Sequence, residues 1–258
     1  METNKTKIAK PLRQNYVNFK DQIDIIIPYY HEVGCLSKCV ESIIRFCKNI
    51  DYKIYLINDG SESESVKFFF KPYEKIVTVI DHPNQKGFGA SINTGLKQSI
   101  NRKKVIMHSD CIVDNIGWLN NLYNSFINLQ KQGVGLITSK TKNSNTKLNE
   151  LSDFENKTDF IIEKSYIPFY SIMFDINLIK VCGFIKEYPY FGYEDEEFCF
   201  RLRKFNFKIG VSGESTIIHQ GSKTITSFLA KNPKLRNILE KNKDLCKKDI
   251  IELMKKNN

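Results

Sequence analysis

The chain has 258 residues, of which 41% are hydrophobic and 12% aromatic, and its formal net charge is +10. This composition is typical of a folded globular protein and excludes wholesale disorder. No apolar run reaches the roughly 18 residues that a membrane-spanning helix needs, and the N-terminus lacks the apolar centre of a secretory signal. We therefore expect a cytoplasmic protein with one substantial core.

The excess positive charge lies at the two ends of the chain. Residues 1–20 contain five basic and one acidic side chain, and residues 231–258 contain nine basic and four acidic ones. Because the middle is nearly neutral, we expect no nucleic-acid partner for the folded body. The basic ends are explained equally well by simple solvation or by peripheral contact with an anionic membrane or an acidic partner.

Apolar, β-branched runs alternate with helical patterns through the first half of the chain. The predicted strands are residues 23–28, 52–59, 76–81, 104–110 and 133–139, and the predicted helices are residues 36–46, 90–100 and 118–130. This alternation predicts an α/β fold, in which a mainly parallel twisted sheet carries helices on both faces.

Polar residues follow three of these predicted strands, at residues 28–32, 58–61 and 108–110. Open α/β sheets bind their ligands beyond the carboxyl ends of the strands. The sequence therefore predicts a crevice at this edge of the sheet, and a nucleotide is the first candidate ligand.

The second half has weaker patterns. We expect a polar loop, a strand, an amphipathic helix and two short strands at residues 138–156, 167–175, 194–205, 207–211 and 215–219. After Pro233 an apolar stripe under a basic surface predicts a helix that docks on the domain or, alternatively, lies on a membrane surface. The resulting division is a basic N-terminal extension (1–21), a main domain (22–222) and a basic C-terminal helical segment (223–258).

The seven cysteines are odd in number and scattered, without a C-x-x-C pair. His31, Cys35 and Cys39 have the spacing of one helix face, so a metal cluster there is conceivable. Cysteine is, however, among the most buried residue types, and these cysteines sit among apolar residues such as Leu36 and Val40. We favour reduced thiols in the core.

Six segments in this order carry a resemblance to a known family: IDIIIPYYHE, YLINDGSES, HPNQKGFGASINTGL, VIMHSDCIVDNIGWL, CGFIKEYPYFGYEDEEFCFRLR and IIHQGS. Over about residues 22–222 the chain resembles the family-2 glycosyltransferases of the GT-A fold. The resemblance implies a Rossmann-like sheet and an inverting, metal-dependent transfer from a UDP- or dTDP-sugar to a glycan, a lipid-linked saccharide or a protein. Two alternatives remain open: a non-catalytic nucleotide-sugar-binding module, and a membrane or nucleic-acid adaptor that acts through its termini.

The resemblance assigns the nucleotide pocket to the ends of the first two strands. It implies that Pro28, Tyr30 and Glu32 line the pocket and that Asp59 accepts a hydrogen bond from the base. A carboxylate acceptor suits the imide N–H of uracil or thymine. The alternative for Asp59 is a turn residue in the run N-D-G-S.

Lys86, Gly87 and Asn93 resemble the family segment that closes over the nucleotide. Glycine permits a close backbone approach, and a lysine can meet a phosphate. A plain strand-to-helix turn explains the same residues equally well.

A metal site is implied by Asp110 and His219. Asp110 resembles the last acid of the family's D-x-D motif, in which His108 takes the first position, and both His108 and Ser109 are implied to contact the sugar nucleotide. His219 resembles the family's late metal-ligand histidine. Because an imidazole beside oxygen ligands suits Mn²⁺ better than Mg²⁺, we expect Mn²⁺ first and Mg²⁺ second.

The catalytic residue implied by the resemblance is Asp195, which would act as general base on the acceptor hydroxyl. Glu194 would orient the acceptor, or serve as the base if the register differs by one residue. The alternative is an acidic pair that only complements a helix dipole. Arg201 and Arg203 are candidates for phosphate contacts, although Arg201 fits equally well as the i,i+4 partner of Glu197.

Overall fold

The computed structural model describes residues 22–142, 149–163, 166–221, 229–230, 232–235 and 237–255, so the basic N-terminal extension 1–21 and Ser222 lie outside the described residues. The strands are β1 (Ile23–Tyr29), β2 (Tyr52–Asn58), β3 (Val77–Asp81), β4 (Lys103–Met107), β5 (Cys111–Val113), β6 (Val134–Lys142), β7 (Phe160–Ile162), β8 (Ser171–Asp175) and β9 (Lys208–His219). The helices are α1 (Val33–Phe46), α2 (Glu64–Phe70), α3 (Phe88–Gln98), α4 (Trp118–Gln130), α5 (Asn177–Cys182), α6 (Glu194–Lys204) and α7 (Ile238–Lys255).

The described strands form one sheet in the order β3-β2-β1-β4-β8-β6-β9-β5, with β7 paired to β9. Its first four strands are all parallel, which confirms the α/β prediction for this part of the chain. The antiparallel strand β8 lies between β4 and β6, and β6 then runs parallel to β9. The carboxyl ends of β1, β2, β3 and β4 therefore meet at one edge.

Strand β1 shows why this sheet needs helices on both faces. All seven of its residues are buried. Ile23, Ile25 and Ile27 pack in one apolar cluster with residues of α1 and α4, whereas Ile26 packs in a second cluster with α3, α5 and α6. Alternate side chains of a strand point to opposite faces, so a doubly covered strand needs a nearly continuous apolar run, and the one charged residue of β1, Asp24, is paired with Lys104.

Strand β9 is the main departure from the predicted elements. The sequence around Gly213 suggests a turn between two short strands, but the structure has one continuous strand from Lys208 to His219. A Cβ at Gly213 would lie 2.2 Å from the carbonyl oxygen of Lys157, so the backbone that leads into β7 packs directly on this position. The glycine serves a close approach between strands rather than a turn.

The predicted polar loop is also partly wrong. Strand β6 continues through Lys142, beyond the residue 138 at which the loop was expected to begin. Pairing with β9 explains the extension, because Lys140, Thr141 and Lys142 align with Thr216, Ile217 and Ile218. Residues 149–152 form a 3₁₀ turn.

Helix α7 docks on the domain, as the apolar stripe after Pro233 predicts. Ile238, Asn242 and Cys246 are buried, whereas Ile251 and Met254 near its end are half exposed. None of the helices in the described parts of the chain is both long and apolar enough to cross a membrane.

All seven cysteines are free and buried, which confirms the prediction of core thiols. The helix-face grouping of His31 with Cys35 and Cys39 is wrong, because α1 begins only at Val33 and His31 has a left-handed φ of 55°.

Candidate active site

A cavity of about 260 Å³ opens at the carboxyl edge of the parallel strands. Seven of the predicted site residues line it: Pro28, Tyr30, Asp59, His108, Ser109, Asp110 and His219. The acidic pair Glu194 and Asp195 lines the same cavity. Residues predicted from distant segments of the sequence therefore converge on one site.

His219 reaches Asp110 through the pairing of β5 with β9. These two strands are antiparallel, with Cys111 opposite His219, and the amide of Gln220 donates to the carbonyl oxygen of Asp110 over 2.9 Å. The Nε2 of His219 lies 3.4 Å from Oδ2 of Asp110. The ladder thus fixes side chains that are over one hundred residues apart in the sequence.

His108 completes a cluster with these two residues. Its Nδ1 lies 4.0 Å from Oδ1 of Asp110, and one ligand atom from each of His108, Asp110 and His219 lies within 4.8 Å of the others. Among the described residues this is the one group of metal-ligating side chains with such spacing. The donor set is two imidazoles and one carboxylate.

Burial and mutual charge set the protonation of this cluster. Burial lowers the pKa of His108 to about 4, although the charge of Asp110 opposes the shift. Burial alone would raise the pKa of Asp110, but the hydrogen bond from His219 and the charges of both imidazoles hold it below its usual range. At neutral pH His108 is therefore neutral and Asp110 is ionised, the forms in which imidazole and carboxylate bind metals.

The acidic pair starts helix α6 at the end of an irregular segment. Tyr190, Gly192 and Tyr193 all have positive φ, of 64°, 106° and 75°. This backbone turns Glu194 and Asp195 toward the cavity. Non-glycine residues rarely adopt such angles, so the surrounding contacts must hold Tyr190 and Tyr193 in this conformation.

The two carboxyl groups have different protonation. Burial raises the pKa of Asp195 to about 6, despite the hydrogen bond that its Oδ1 accepts from the amide of Glu196 over 2.9 Å. Burial raises the pKa of Glu194 to about 8, and the charge of Asp195 adds to this effect. At neutral pH Asp195 is mostly ionised and Glu194 mostly protonated. Only Asp195 is then available to accept a proton.

Glu194 is held on one side only. Its Oε2 accepts a hydrogen bond from the amide of Gly192 over 2.6 Å, while its buried Oε1 has no hydrogen-bond partner among the described residues. A buried polar atom without a partner is costly. In a carboxyl group that lines a cavity, this atom is suited to a ligand hydroxyl.

Asp59 holds the neighbouring loop in place. Its carboxylate accepts hydrogen bonds from the amides of Lys86 and Gly87 at 2.8 to 3.1 Å and from the hydroxyl of Ser91 at 3.2 Å. The turn role that its sequence context suggested belongs to Asn58, whose side-chain oxygen accepts from both the amide and the hydroxyl of Ser61.

Four of the predicted binding residues, Glu32, Lys86, Gly87 and Asn93, are not among the described residues that line the cavity. Asn93 is buried, and its side chain donates to the carbonyl of Ile185 and to Glu187, both at 2.8 Å. The Oδ1 of the Asn93 side chain also accepts a hydrogen bond from the backbone amide of Ile185. Asn93 therefore joins α3 to the segment before the acidic pair.

Gly87 makes a second link to the same segment. Its φ is 101°, and a Cβ there would lie 3.0 Å from backbone atoms of Tyr188 and Tyr190. The next amide, of Phe88, donates to the carbonyl of Tyr190 over 2.6 Å. Only glycine fits this close packing, so the strand-to-helix turn serves to seat the segment that carries the acids.

Arg201 has a structural role, which confirms its assignment as the partner of Glu197. Its Nε and Nη2 bind the two oxygens of Glu197 at 2.9 and 2.6 Å. Its Nη1 donates to the carbonyls of Cys182 and Phe184. The whole group is buried, so this arginine is not available to a phosphate in the cavity.

The sequence analysis missed an aromatic component of the cavity lining. Phe88, Tyr170, Phe191 and Tyr193 all line the cavity, and Tyr170 stacks on His219 with ring centroids 4.0 Å apart. Burial raises the pKa of Tyr170 to about 12, and the charges of Asp195 and Asp110 raise it further. The run YPYFGY signals part of this lining, whereas Tyr170 has no signal in its own context.

The doubly covered sheet and the crevice at its carboxyl edge match the GT-A fold of solved glycosyltransferases. The model of the family described as Glycosyl transferase family 2 matches residues 24–184, more than half of the chain. The chain belongs to this family. The match ends before Glu194 and His219, so both lie outside the part that it covers.

Glycosyltransferase GlyA of Streptococcus pneumoniae serotype 4 is 30% identical to this chain over 113 residues. The match covers 43% of this chain but only 16% of that protein. The chain thus corresponds to a small part of that protein's length.

Solved structures confirm the fold. The mannosyltransferase PcManGT from Pyrobaculum calidifontis, in complex with GDP-Man and Mn²⁺, has a TM-score of 0.64 and 12% identity, over 81% of this chain and 60% of that one. GalNAc-T7 with UDP, GalNAc and Mn²⁺ has a TM-score of 0.62 and 13% identity, over 77% and 44%. TarS 1–349 of S. aureus has a TM-score of 0.59 and 15% identity, over 76% and 60%.

Proposed function

We propose that this chain is an inverting, metal-dependent glycosyltransferase that moves a sugar from a UDP- or dTDP-sugar to a hydroxyl group. The observation that carries the proposal is that Asp195, with its raised pKa, lines the same cavity as Asp110 and His219. A base and a metal site in one crevice are what a single displacement at a sugar carbon needs.

Asp195 acts as the general base. An acceptor hydroxyl is a weak nucleophile, so the carboxylate removes its proton while the oxygen attacks the anomeric carbon. The bond from that carbon to the diphosphate oxygen breaks in the same step, and the electron pair leaves with the nucleoside diphosphate. Attack from the face opposite the leaving group inverts the configuration, as in other enzymes that use one carboxylate base.

Asp110 and His219 hold the divalent cation. The fit is supported by the ionised Asp110 and by the Nε2 of His219, which lies 3.4 Å from Oδ2 of Asp110. Once bound, a divalent cation neutralises the charge on the departing diphosphate. An imidazole donor favours Mn²⁺ over Mg²⁺, and PcManGT and GalNAc-T7 were both solved with Mn²⁺.

The nucleotide lies against the ends of β1 and β2. Pro28 and Tyr30 border the base and Asp59 accepts its imide N–H. The Oδ2 of Asp59 accepts only the hydrogen bond from Gly87 among those described, which leaves it room for another donor. Lys86 is exposed at the rim, where its ammonium can meet a phosphate, and His108 and Ser109 lie beside the metal site.

The acceptor is a glycan, a lipid-linked saccharide or a protein, and Glu194 binds one of its hydroxyl groups. The unpartnered Oε1 of Glu194 supports this role, and the aromatic lining offers flat apolar faces for a sugar ring. The reaction takes place in the cytoplasm, with peripheral membrane contact through the basic termini.

A thermal-shift experiment tests the donor class. UDP, dTDP and GDP are each added with and without Mn²⁺, and a ligand at one hundred times its Kd adds about 2.7 kcal/mol to the unfolding free energy. We expect a rise in melting temperature with UDP or dTDP that depends on Mn²⁺. No shift with any nucleotide would contradict the proposal. A shift with GDP alone would contradict the assignment of uracil or thymine as the nucleobase.

A further inference from the structure

His108 takes the position that the sequence analysis assigned to a contact with the sugar nucleotide, yet its imidazole faces Asp110 and lies close to His219. The ring centroids of the two histidines are 6.1 Å apart. Each imidazole lies near a different oxygen of Asp110, His108 at 4.0 Å from Oδ1 and His219 at 3.4 Å from Oδ2. The three ligand atoms lie within 4.8 Å of one another, and side-chain rotations that bring them to about 3.3 Å would give the spacing of tetrahedral ligands at bond lengths of about 2.0–2.1 Å.

Aromatic packing fixes both imidazoles. His108 makes edge contacts with Phe88 at 4.9 Å and with Tyr170 at 5.2 Å between centroids. Tyr170 also stacks on His219, with an interplanar angle of 18°. One tyrosine thus orients two candidate ligands, and ligands held by packing lose less entropy when an ion binds.

We propose that His108 is a third protein ligand of the metal, and that His108, Asp110 and His219 bind a transition-metal ion before the nucleotide arrives and discriminate against Mg²⁺. This inference deepens the proposed function and rests on it for the role of the bound ion.

The chemistry of the donor set gives the selectivity. Mg²⁺ prefers oxygen ligands and is usually held by one or two carboxylates together with substrate phosphates. Imidazole nitrogen favours the later divalent metals, and the affinity of such a site rises from Mn²⁺ to Co²⁺ and Ni²⁺. With a second nitrogen in place of a carboxylate, Mg²⁺ has one oxygen ligand from this cluster.

The charge of the set has a second consequence. Asp110 supplies one negative charge and imidazole ligands add none to a metal site, so a bound divalent ion keeps a net charge of about +1. A site with two carboxylates would neutralise the ion completely. The remaining positive charge attracts the diphosphate of a sugar nucleotide.

The test measures metal binding alone, by isothermal titration of the full-length protein with MnCl₂, CoCl₂ or MgCl₂ and no nucleotide. We expect affinity to rise from Mg²⁺ to Mn²⁺ to Co²⁺, with Mn²⁺ at least about tenfold tighter than Mg²⁺. Equal affinity for Mn²⁺ and Mg²⁺, or no binding of either Mn²⁺ or Co²⁺ without nucleotide, would overturn the inference.

Variants identify the ligand. His108→Phe keeps a ring against Phe88 and Tyr170 but removes the nitrogens, and we expect its Mn²⁺ and Co²⁺ affinities to fall by about 10- to 100-fold or more, since second-shell losses alone cost that much. His108→Asp should narrow the preference for Mn²⁺ over Mg²⁺. His31→Ala, which removes an exposed imidazole at the end of β1, should bind metal as the wild type does.

The absorption spectrum of bound Co²⁺ gives an independent readout, because a change of ligand changes its visible bands. Metal-free melting temperatures show whether each variant folds. A folded His108→Phe protein that binds Mn²⁺ with wild-type affinity and an unchanged Co²⁺ spectrum would show that His108 is not a ligand.

Failure of this inference and of the proposed function can be told apart. If metal binds through His108 but no nucleotide raises the melting temperature, the proposed function fails and the ligand assignment stands. If UDP or dTDP binds with Mn²⁺ equally well to wild type and His108→Phe, the proposed function stands and the ligand assignment fails.

Discussion

The two regions that build the cavity are made in different ways. On the nucleotide side, Pro28 lies near the end of β1 and Asp59 comes directly after β2. Both strands are parallel and largely buried, and their backbone hydrogen bonds fix the positions of these two residues. On the acceptor side, the segment from Tyr188 to Asp195, which we call the acid-bearing segment, has three residues with positive φ and is not part of the sheet. The first region is rigid because of its strands, and the second because of what packs on it.

Residues that come before and after the acid-bearing segment in the sequence hold it in place by hydrogen bonds. From the N-terminal side, Phe88 donates to Tyr190, and Asn93 is tied to residues 185–187 just before the segment. From the C-terminal side, the side chain of Asn242 in α7 donates to the carbonyls of Pro189 and Phe191, both at 2.8 Å. The catalytic geometry therefore depends on side-chain and loop contacts between elements that are far apart in sequence, whereas strand pairing within the sheet fixes the nucleotide side.

Replacing the general base should have the largest effect, and that effect should be confined to the acceptor side. Asp195→Asn removes the proton acceptor and keeps its shape, so we expect transfer to fall by about 10²- to 10⁴-fold. Binding of UDP or dTDP with Mn²⁺ should stay within a few-fold of wild type, since the nucleotide side is untouched. Steady-state kinetics and calorimetry measure the two properties.

Glu196→Gln is the matched control, because it removes a carboxylate from the next position of the same helix. It should keep most of the transfer activity. Near wild-type transfer by Asp195→Asn would show that the base is wrongly assigned.

The second-largest expected effect is a pH dependence of the unfolding free energy that originates in the acid-bearing segment. Burial raises the pKa of Glu194 from 4.5 to about 8, so the folded state holds a proton that the unfolded state releases. The stability from this proton is fully present below about pH 4.5 and is lost as the pH rises through about 8. At about 1.4 kcal/mol for each pKa unit, the change amounts to a few kcal/mol.

Glu194→Gln removes this titration and leaves a neutral amide of similar shape. Its unfolding free energy relative to wild type should therefore increase between pH 5 and pH 8, as measured by urea denaturation. Asp195, whose pKa is also raised, contributes with the same sign in both proteins. A constant difference between the two proteins across this range would mean that Glu194 is ionised in the folded state.

Local patterns predicted the strands and helices of the nucleotide side, whereas the roles of the site residues on both sides came from the family resemblance. The bounds of α4, Trp118 to Gln130, agree with the apolar periodicity, and the strand ends at Asp59 and Asp110 follow from buried runs. Both predictions use local patterns, in which burial and period are written in consecutive residues.

The rest depends on contacts that no local pattern encodes. The pairing of β5 with β9, which brings His219 to Asp110, joins a three-residue strand to the end of a twelve-residue strand, and neither sequence specifies its partner. Asn93 looks like a binding residue from its motif, but its hydrogen bonds go to residues 185–187. The stacking of Tyr170 on His219 is likewise visible only in three dimensions.

Asp59→Asn is the converse of Asp195→Asn, because it changes the nucleotide side and leaves the general base in place. Its carboxylate accepts the amides of Lys86 and Gly87, and an asparagine NH₂ group would face one of these N–H donors. We expect a loss of stability of about 1 to 3 kcal/mol and a nucleotide affinity at least about tenfold weaker. Calorimetry with UDP or dTDP and Mn²⁺ is the measurement.

Asp81→Asn provides a control at the end of the neighbouring strand β3, where the carboxylate is exposed and paired with Lys67. It should leave nucleotide affinity unchanged. If both substitutions weaken nucleotide binding equally, the effect of Asp59→Asn comes from general disturbance of the strand ends.

The smallest effect is expected from Asn242, which tests whether α7 supports the acid-bearing segment. This side chain is fully buried, and Asn242→Ala leaves the carbonyls of Pro189 and Phe191 without its two hydrogen bonds. At about 0.5 to 1.5 kcal/mol for each bond, we expect a loss of about 1 to 3 kcal/mol in stability.

If part of this loss falls on the acid-bearing segment, the KM for the acceptor should rise several-fold while the affinity for the nucleotide stays constant. Lys247→Ala is the control, since Lys247 is exposed on the same helix and its pairing with Asp244 is worth little. Equal changes in acceptor KM and nucleotide affinity would mean that α7 stabilises the whole domain and has no special relation to the acids.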